Sequence, residues 1–211
     1  AFNSLNNFVE SYLRLHRGDR RPLNIGIFGD PGSGKSYGPQ RILEEIPELE
    51  ASKMSFIECN LATFSHPMDL GHVFLDASAA FGNGRTPVVL FDEFDCTLDK
   101  IPKGWIPYLI SPMQDGYYVH DGIKHYFKRA IFLFAGGTAK NLDDFCKQEK
   151  DGEEWSESAR QGKIPDFVSR LSTSLSFGGV NLGSARKASK SGLSGIDIII
   201  SIFRSEEHTS E

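Results

Sequence analysis

The chain has 211 residues, a length for one full domain with some extra but not comfortably for two. Hydrophobic residues are 39% and charged residues 24%, ordinary globular values that exclude wholesale disorder. Lys+Arg number 23 against 28 Asp+Glu, a net charge of −5 that argues against a surface gripping nucleic acid throughout but leaves room for a local basic patch.

Phe8, Tyr12 and Leu15 recur at helical spacing, so Asn6 to Leu15 predicts an amphipathic helix, broken by Arg17 to Pro22. Leu23 to Phe28 reads as a buried strand followed by a Gly-rich turn. Tyr37 to Ile46 is helical in character, with Gly38-Pro39 awkwardly early in it. Met54 to Cys59 is a second strand and Met68 to Phe81 a second helix. Pro87 to Phe91 is a third strand that ends in an acidic cluster. Trp105 to Met113 predicts a short helix, and Gly116 to Phe127, centred on Asp121-Gly122, a hairpin. Ala130 to Ala135 and Leu171 to Phe177 complete five strands. Alternation of strands with helices predicts an α/β fold with a mostly parallel sheet covered on both faces.

Gln148 to Ile164 is charged and weakly apolar, which predicts an irregular surface segment. Gly178 to Gly195 is rich in Gly, Ser and Lys and reads as flexible. Arg204 to Glu211 looks like the translation of a sequencing-library adapter, with a genuine polar tail as the alternative, and is set aside from fold reasoning. The expected organisation is therefore an N-terminal helix and linker at 1–22, a core at 23–177, a flexible segment or truncated start of a further unit at 178–203, and a scar at 204–211. The chain opens on Ala1 rather than Met, which reads as a trimmed start. Ala1 to Leu15 is too polar for a secretory leader, and no run reaches the ~18 apolar residues of a membrane span. Three scattered cysteines, Cys59, Cys96 and Cys146, predict neither a disulfide framework nor a zinc site. A reduced, cytoplasmic setting with no membrane partner is the expectation.

The strongest motif is Gly29-Asp30-Pro31-Gly32-Ser33-Gly34-Lys35-Ser36, which matches GxxxxGK[ST] between a strand and a helix and runs into Tyr37. Glycines let backbone N–H groups turn inward around phosphate oxygens, and a helix N-terminus adds positive potential. Lys35 then reaches the β- and γ-phosphates of a nucleotide, and the Ser36 hydroxyl coordinates Mg²⁺. Val88-Val89-Leu90-Phe91-Asp92-Glu93 supplies the other half: Asp92 reaches the Mg²⁺ shell and Glu93 deprotonates the attacking water. A small-molecule kinase has no need of that base. The acidic run continues to Asp95 and Asp99, both expected as surface residues.

These residues resemble the AAA+ ATPases. The resemblance covers about Leu23 to Phe177 and rests on GDPGSGKS, VVLFDEFD, RAIFLFAGGT and IPDFVSRL. It implies a P-loop NTPase three-layer αβα sandwich on a five-stranded sheet, with ATP and Mg²⁺ bound. It also implies that Thr138, at the end of the fourth strand, contacts the γ-phosphate or the lytic water. Pro165 to Leu171 is similar to the arginine-finger stretch of Clp-type members, so Arg170 acts in trans on a neighbour's ATP, with Arg160 as the fallback. Asn60 sits where relatives restrain the catalytic Glu, or equally begins a turn. The hairpin either faces a ring pore or is a packing insertion. The family's helical lid is absent or only begun near Ile196 to Arg204. The implied function is Mg²⁺-dependent ATP hydrolysis in a homo-oligomeric ring that remodels a protein or nucleic-acid client. The competing classes are a slow-hydrolysing signalling or scaffold switch and, less favoured, a small-molecule kinase.

Overall fold

The computed structural model describes residues 2–15, 21–46, 49, 53–177 and 198–202. The Gly/Ser/Lys-rich stretch and the adapter-like tail lie outside the described residues.

Helix α1 (Phe2–Leu15) precedes strand β1 (Leu23–Gly29), helix α2 (Gly38–Glu44) and strand β2 (Met54–Asn60). Helix α3 (Leu70–Gly82), strand β3 (Thr86–Asp92) and helix α4 (Ile106–Asp115) follow. A hairpin of β4 (Tyr117–His120) and β5 (Ile123–Tyr126) leads into β6 (Ile131–Ala135). Then come α5 (Leu142–Gln148), the short pair β7 (Lys150–Asp151) and β8 (Glu154–Trp155), α6 (Glu157–Gln161), α7 (Ile164–Arg170), β9 (Thr173–Phe177) and β10 (Ile198–Ile202).

The five strands expected from the sequence form the parallel part of the sheet, in the order β9-β1-β6-β3-β2. Strand β10 joins β9 antiparallel at the edge. Strands β1 and β6 are buried throughout, as parallel strands covered on both faces must be. Their side chains alternate between two cores. Ile131 and Leu133 pack with Val88, Leu90, Ile25 and Ile27 against Val9 and Leu13 of α1 and Ile42 of α2. Phe132 and Phe134 point the other way, into an aromatic core with Phe28, Phe91, Phe94, Phe145 and Phe167. The three-layer αβα sandwich is thus written in the period-two alternation of the strands.

Pro39 is accommodated rather than disruptive. It occupies the first turn of α2, where its missing N–H is an orphan donor in any helix. The segment 148–164 is more regular than its composition predicts. Ser156 Oγ accepts the Ala159 N–H at 3.2 Å to start α6, and Lys103 Nζ pairs with Glu149 Oε1 at 2.6 Å, both side chains largely buried. One face of the hairpin is packed, with Tyr118 stacked on Phe74 at 4.8 Å. Val119, Ile123 and Tyr126 on it remain exposed.

Candidate functional site

In an open α/β sheet, ligands bind beyond the carboxyl ends of the strands, near the point where the strand order reverses. Strand β1 ends there in the Gly-rich loop. Gly32 and Gly34 hold φ of +75° and +91°, a backbone that side chains with a Cβ resist. Ser33 is buried and its Oγ has no hydrogen-bond partner. Lys35 is only 8% exposed; its ammonium donates to the carbonyls of Gly29 at 2.7 Å and Asp30 at 2.9 Å, which pins it under the loop. Asp30 and Pro31 are exposed on the loop's outer side. Tyr37 is exposed beside Arg41, whose Nε donates to its hydroxyl at 2.7 Å.

Strand β3 delivers the acidic residues to the same edge. Ser36 Oγ donates to Asp92 Oδ2 at 2.9 Å, so two hard oxygens from distant parts of the chain meet beside Lys35. Asp92 Oδ1 accepts the N–H of Glu93 at 3.2 Å. Glu93 adopts a left-handed φ of +54°, which turns the chain sharply out of the strand. Its carboxylate lies over Gly137, where a Cβ would stand 3.5 Å from Glu93 Oε2. Burial, and then the neighbouring Asp95 and Asp92, push the Glu93 carboxyl upward in pKa, with Lys35 opposing them.

Asp95 corrects the sequence reading. It is buried, not a surface residue, and its carboxylate accepts the N–H of Gly137 at 3.2 Å. It also accepts the N–H of Thr138 at 2.9 Å and the Thr138 hydroxyl at 2.5 Å. The acidic turn is fixed from behind by Phe94, which stacks on Phe167 at 5.1 Å and touches Phe134 and Phe145.

Asn60 pairs in register with Asp92 across β2 and β3. Its side-chain carbonyl accepts the Ala62 N–H at 3.0 Å, so it caps the turn that follows β2.

Arg170 stands elsewhere. Strand β9 runs parallel to β1 with Phe177 opposite Gly29, so Arg170, three residues before Thr173, lies at the opposite edge of the sheet from the Gly-rich loop. Strand β9 alone separates the two by roughly 13 Å of rise. There the guanidinium donates to Gln114 Oε1 at 2.6 and 3.1 Å and to the Asp166 carbonyl at 2.7 Å. Buried Asn24 donates from Nδ2 to the carbonyls of Arg170 at 3.0 Å and Met113 at 3.2 Å, which ties α7, α4 and β1 together. Arg160 is exposed and pairs with Glu154 at 3.1 Å.

The residues fit Mg²⁺ with a phosphate-bearing ligand. Mg²⁺ takes one or two protein oxygens and completes its shell with phosphate and water, and Ser36 with Asp92 offers such a pair. The orphaned Ser33 hydroxyl and the buried Lys35 ammonium suit an anion. No helix among the described residues is long and apolar enough to cross a membrane.

No family profile matches the sequence, and no curated protein does. Solved structures do. One is the Aeropyrum pernix ORC2 protein in its ADPNP–ADP complexes, with a TM-score of 0.51 and 12% identity over 85% of this chain and 47% of that one. Another is Hsp104 with ATPγS and FITC-casein, at a TM-score of 0.49 and 14% identity over 82% of this chain and 31% of that one. The chain therefore spans less than half the length of either protein. The likeness to the ORC2 protein is one of fold, a mostly parallel α/β sheet with flanking helices.

Proposed function

We propose that this chain is the ATP-binding and ATP-hydrolysing core of a cytoplasmic, oligomeric AAA+ type ATPase that uses turnover to remodel a protein or nucleic-acid client. The observation that carries the reading is the 2.9 Å contact of Ser36 Oγ with Asp92 Oδ2, with Glu93 next in the chain. A fortuitous Gly-rich turn has no reason to meet an acidic strand end in this way.

The loop from Gly29 to Tyr37 holds the phosphates through backbone N–H groups, and Lys35 supplies a fixed positive charge. Ser36 and Asp92 hold Mg²⁺, which when bound neutralises charge on the phosphate oxygens. Glu93 accepts the proton of the attacking water, and its upward-shifted pKa makes it a stronger base than an exposed glutamate. Thr138 orients the reacting groups, and Asn60 steadies the strand end beside Asp92. Arg170 lies at the wrong edge of the sheet to serve its own loop, so it serves a neighbouring copy in a ring. There its forked, delocalised charge matches the developing charge on phosphate oxygens.

A switch with slow hydrolysis is the second reading. It is favoured by the attachment of Arg170 to Gln114 and Asp166, which must loosen before the guanidinium reaches across an interface.

Glu93→Gln separates binding from chemistry. ATP affinity should stay within about twofold while turnover falls by about 10²- to 10⁴-fold, measured by titration with a fluorescent ATP analogue and by phosphate release. Parental turnover in that variant would remove Glu93 as the base. Tight ATP binding with negligible turnover in the parental chain would select the switch.

A further inference from the structure

The carboxylate of Asp95 is buried behind the site and accepts hydrogen bonds from Gly137 N, Thr138 N and Thr138 Oγ1. A carboxylate is acceptor-only, so the Thr138 hydroxyl spends its single proton on Asp95 and presents only lone pairs to the site. Phosphate oxygens are also acceptors at a Mg²⁺-bound γ-phosphate, whereas water donates. Thr138 held this way is therefore matched to a water molecule and mismatched to phosphate.

The same contacts join three parts of the site. Phe94 N donates to the Ala135 carbonyl at 3.2 Å, and the Cys96 N–H closes the acidic turn on the Glu93 carbonyl at 3.0 Å. Gly29 N, at the root of the phosphate loop, donates to the Ala139 carbonyl at 3.2 Å. The stretch 135–139 is thus fastened to the loop on one side and to the Glu93 turn on the other. Gly136 makes the approach possible: a Cβ there would stand 2.8 Å from Asp95 Oδ2 and 2.7 Å from the Phe94 ring. Glu93 meanwhile rests over Gly137, one residue from Thr138.

We propose that Asp95 is a positioning residue that locks the Thr138 hydroxyl into its acceptor-only orientation beside Glu93, so that Thr138 and Glu93 together hold the lytic water and Thr138 makes no bond to the γ-phosphate. The proposal rests on the ATPase reading above.

The test uses the full chain and four variants: Asp95→Asn, Thr138→Val, Thr138→Ser and the double variant Asp95→Asn/Thr138→Val. Turnover is measured together with affinities for ADPNP and ADP in Mg²⁺. Asp95→Asn and Thr138→Val should each lower kcat by about 10- to 100-fold, the range for displaced groups that orient a reactant. The ratio of ADPNP to ADP affinity should stay within about twofold, because no γ-phosphate contact is lost. Thr138→Ser, which keeps a hydroxyl, should lose less kcat than Thr138→Val, and the double variant should be no slower than Asp95→Asn alone. A roughly tenfold fall in the affinity ratio in Thr138→Val would assign Thr138 to the phosphate and overturn the proposal. Parental kcat in Asp95→Asn would overturn it as well.

Amide hydrogen exchange gives an arm independent of turnover. Asp95→Asn should speed exchange at Gly137 and Thr138 by about tenfold or more while β1 and β6 stay protected. Unchanged exchange at these two amides would overturn the clamp; loss of protection in β1 and β6 as well would make Asp95 a general stabilising residue and overturn the positioning role. Absence of turnover in the parental chain would sink the ATPase reading instead, and the exchange result would still decide the clamp.

Discussion

The two edges of the parallel sheet are built on opposite plans. At the carboxyl edge the Gly-rich loop, Asp92, Glu93, Asp95 and Thr138 converge within one chain, and their hydrogen bonds run among themselves. At the amino edge Arg170 is held by Gln114 and Asp166, with Asn24 anchoring its backbone. One edge gathers an ammonium, a hydroxyl and three carboxylates; the other braces a guanidinium on a scaffold. The difference teaches that one chain does not bring Arg170 to Lys35, and under the proposed function a neighbouring copy completes the site.

The largest expected effect attacks the amino edge. Arg170→Ala should lower turnover by about 10³-fold, the scale of an arginine supplied to a phosphoryl transition state, with ATP affinity unchanged. A large loss of ATP affinity would show that the two edges are not separate. The next strikes the support of the carboxyl edge. Phe94→Ala removes a fully buried ring that stacks on Phe167 and should destabilise the chain by about 3–5 kcal/mol, read by chemical denaturation. Asn24→Ala should cost about 1–3 kcal/mol, because it leaves the Met113 and Arg170 carbonyls without their buried donor. On this account it lowers turnover more than ATP binding, since only the Arg170 edge moves.

The smallest effect sharpens the electrostatics of the carboxyl edge. Because the Glu93 carboxyl is pushed up, its ionised form is disfavoured in the folded chain. Its contribution to stability is present at pH below the ordinary glutamate range and is lost as pH rises through the raised value. Glu93→Gln should therefore raise the Tm at neutral pH, and the gain should shrink to nothing in acid. A Tm gain that is constant with pH would point to packing instead of charge.

The Gly29–Ser36 loop and the Asp92-Glu93 strand end were legible as motifs because each has fixed residue types at short spacing beside a strand apolar on both faces, and the structure brings Ser36 to 2.9 Å from Asp92. Asp95 was not. A string of carboxylates reads the same whether solvated or buried, and what buries this one is Gly136, a residue brought beside it only by the pairing of β3 with β6. The position of Arg170 was legible as a motif but not as an edge, because the edge depends on β9 lying beside β1. Helices α5 and α6 are too short for hydrophobic periodicity to reveal. Their usable signals were the capping residues Asn141 and Ser156, each accepting a backbone N–H in the first turn.

The claim that the two edges complete one another is tested by mixing two inactive variants. Lys35→Ala damages the carboxyl edge and leaves Arg170 intact; Arg170→Ala does the reverse. Each should be nearly inactive alone, and the mixture should recover a measurable fraction of parental phosphate release that rises with total protein concentration. A mixture no more active than the sum of its parts, at concentrations where the parental chain turns over ATP, would contradict a site shared between copies.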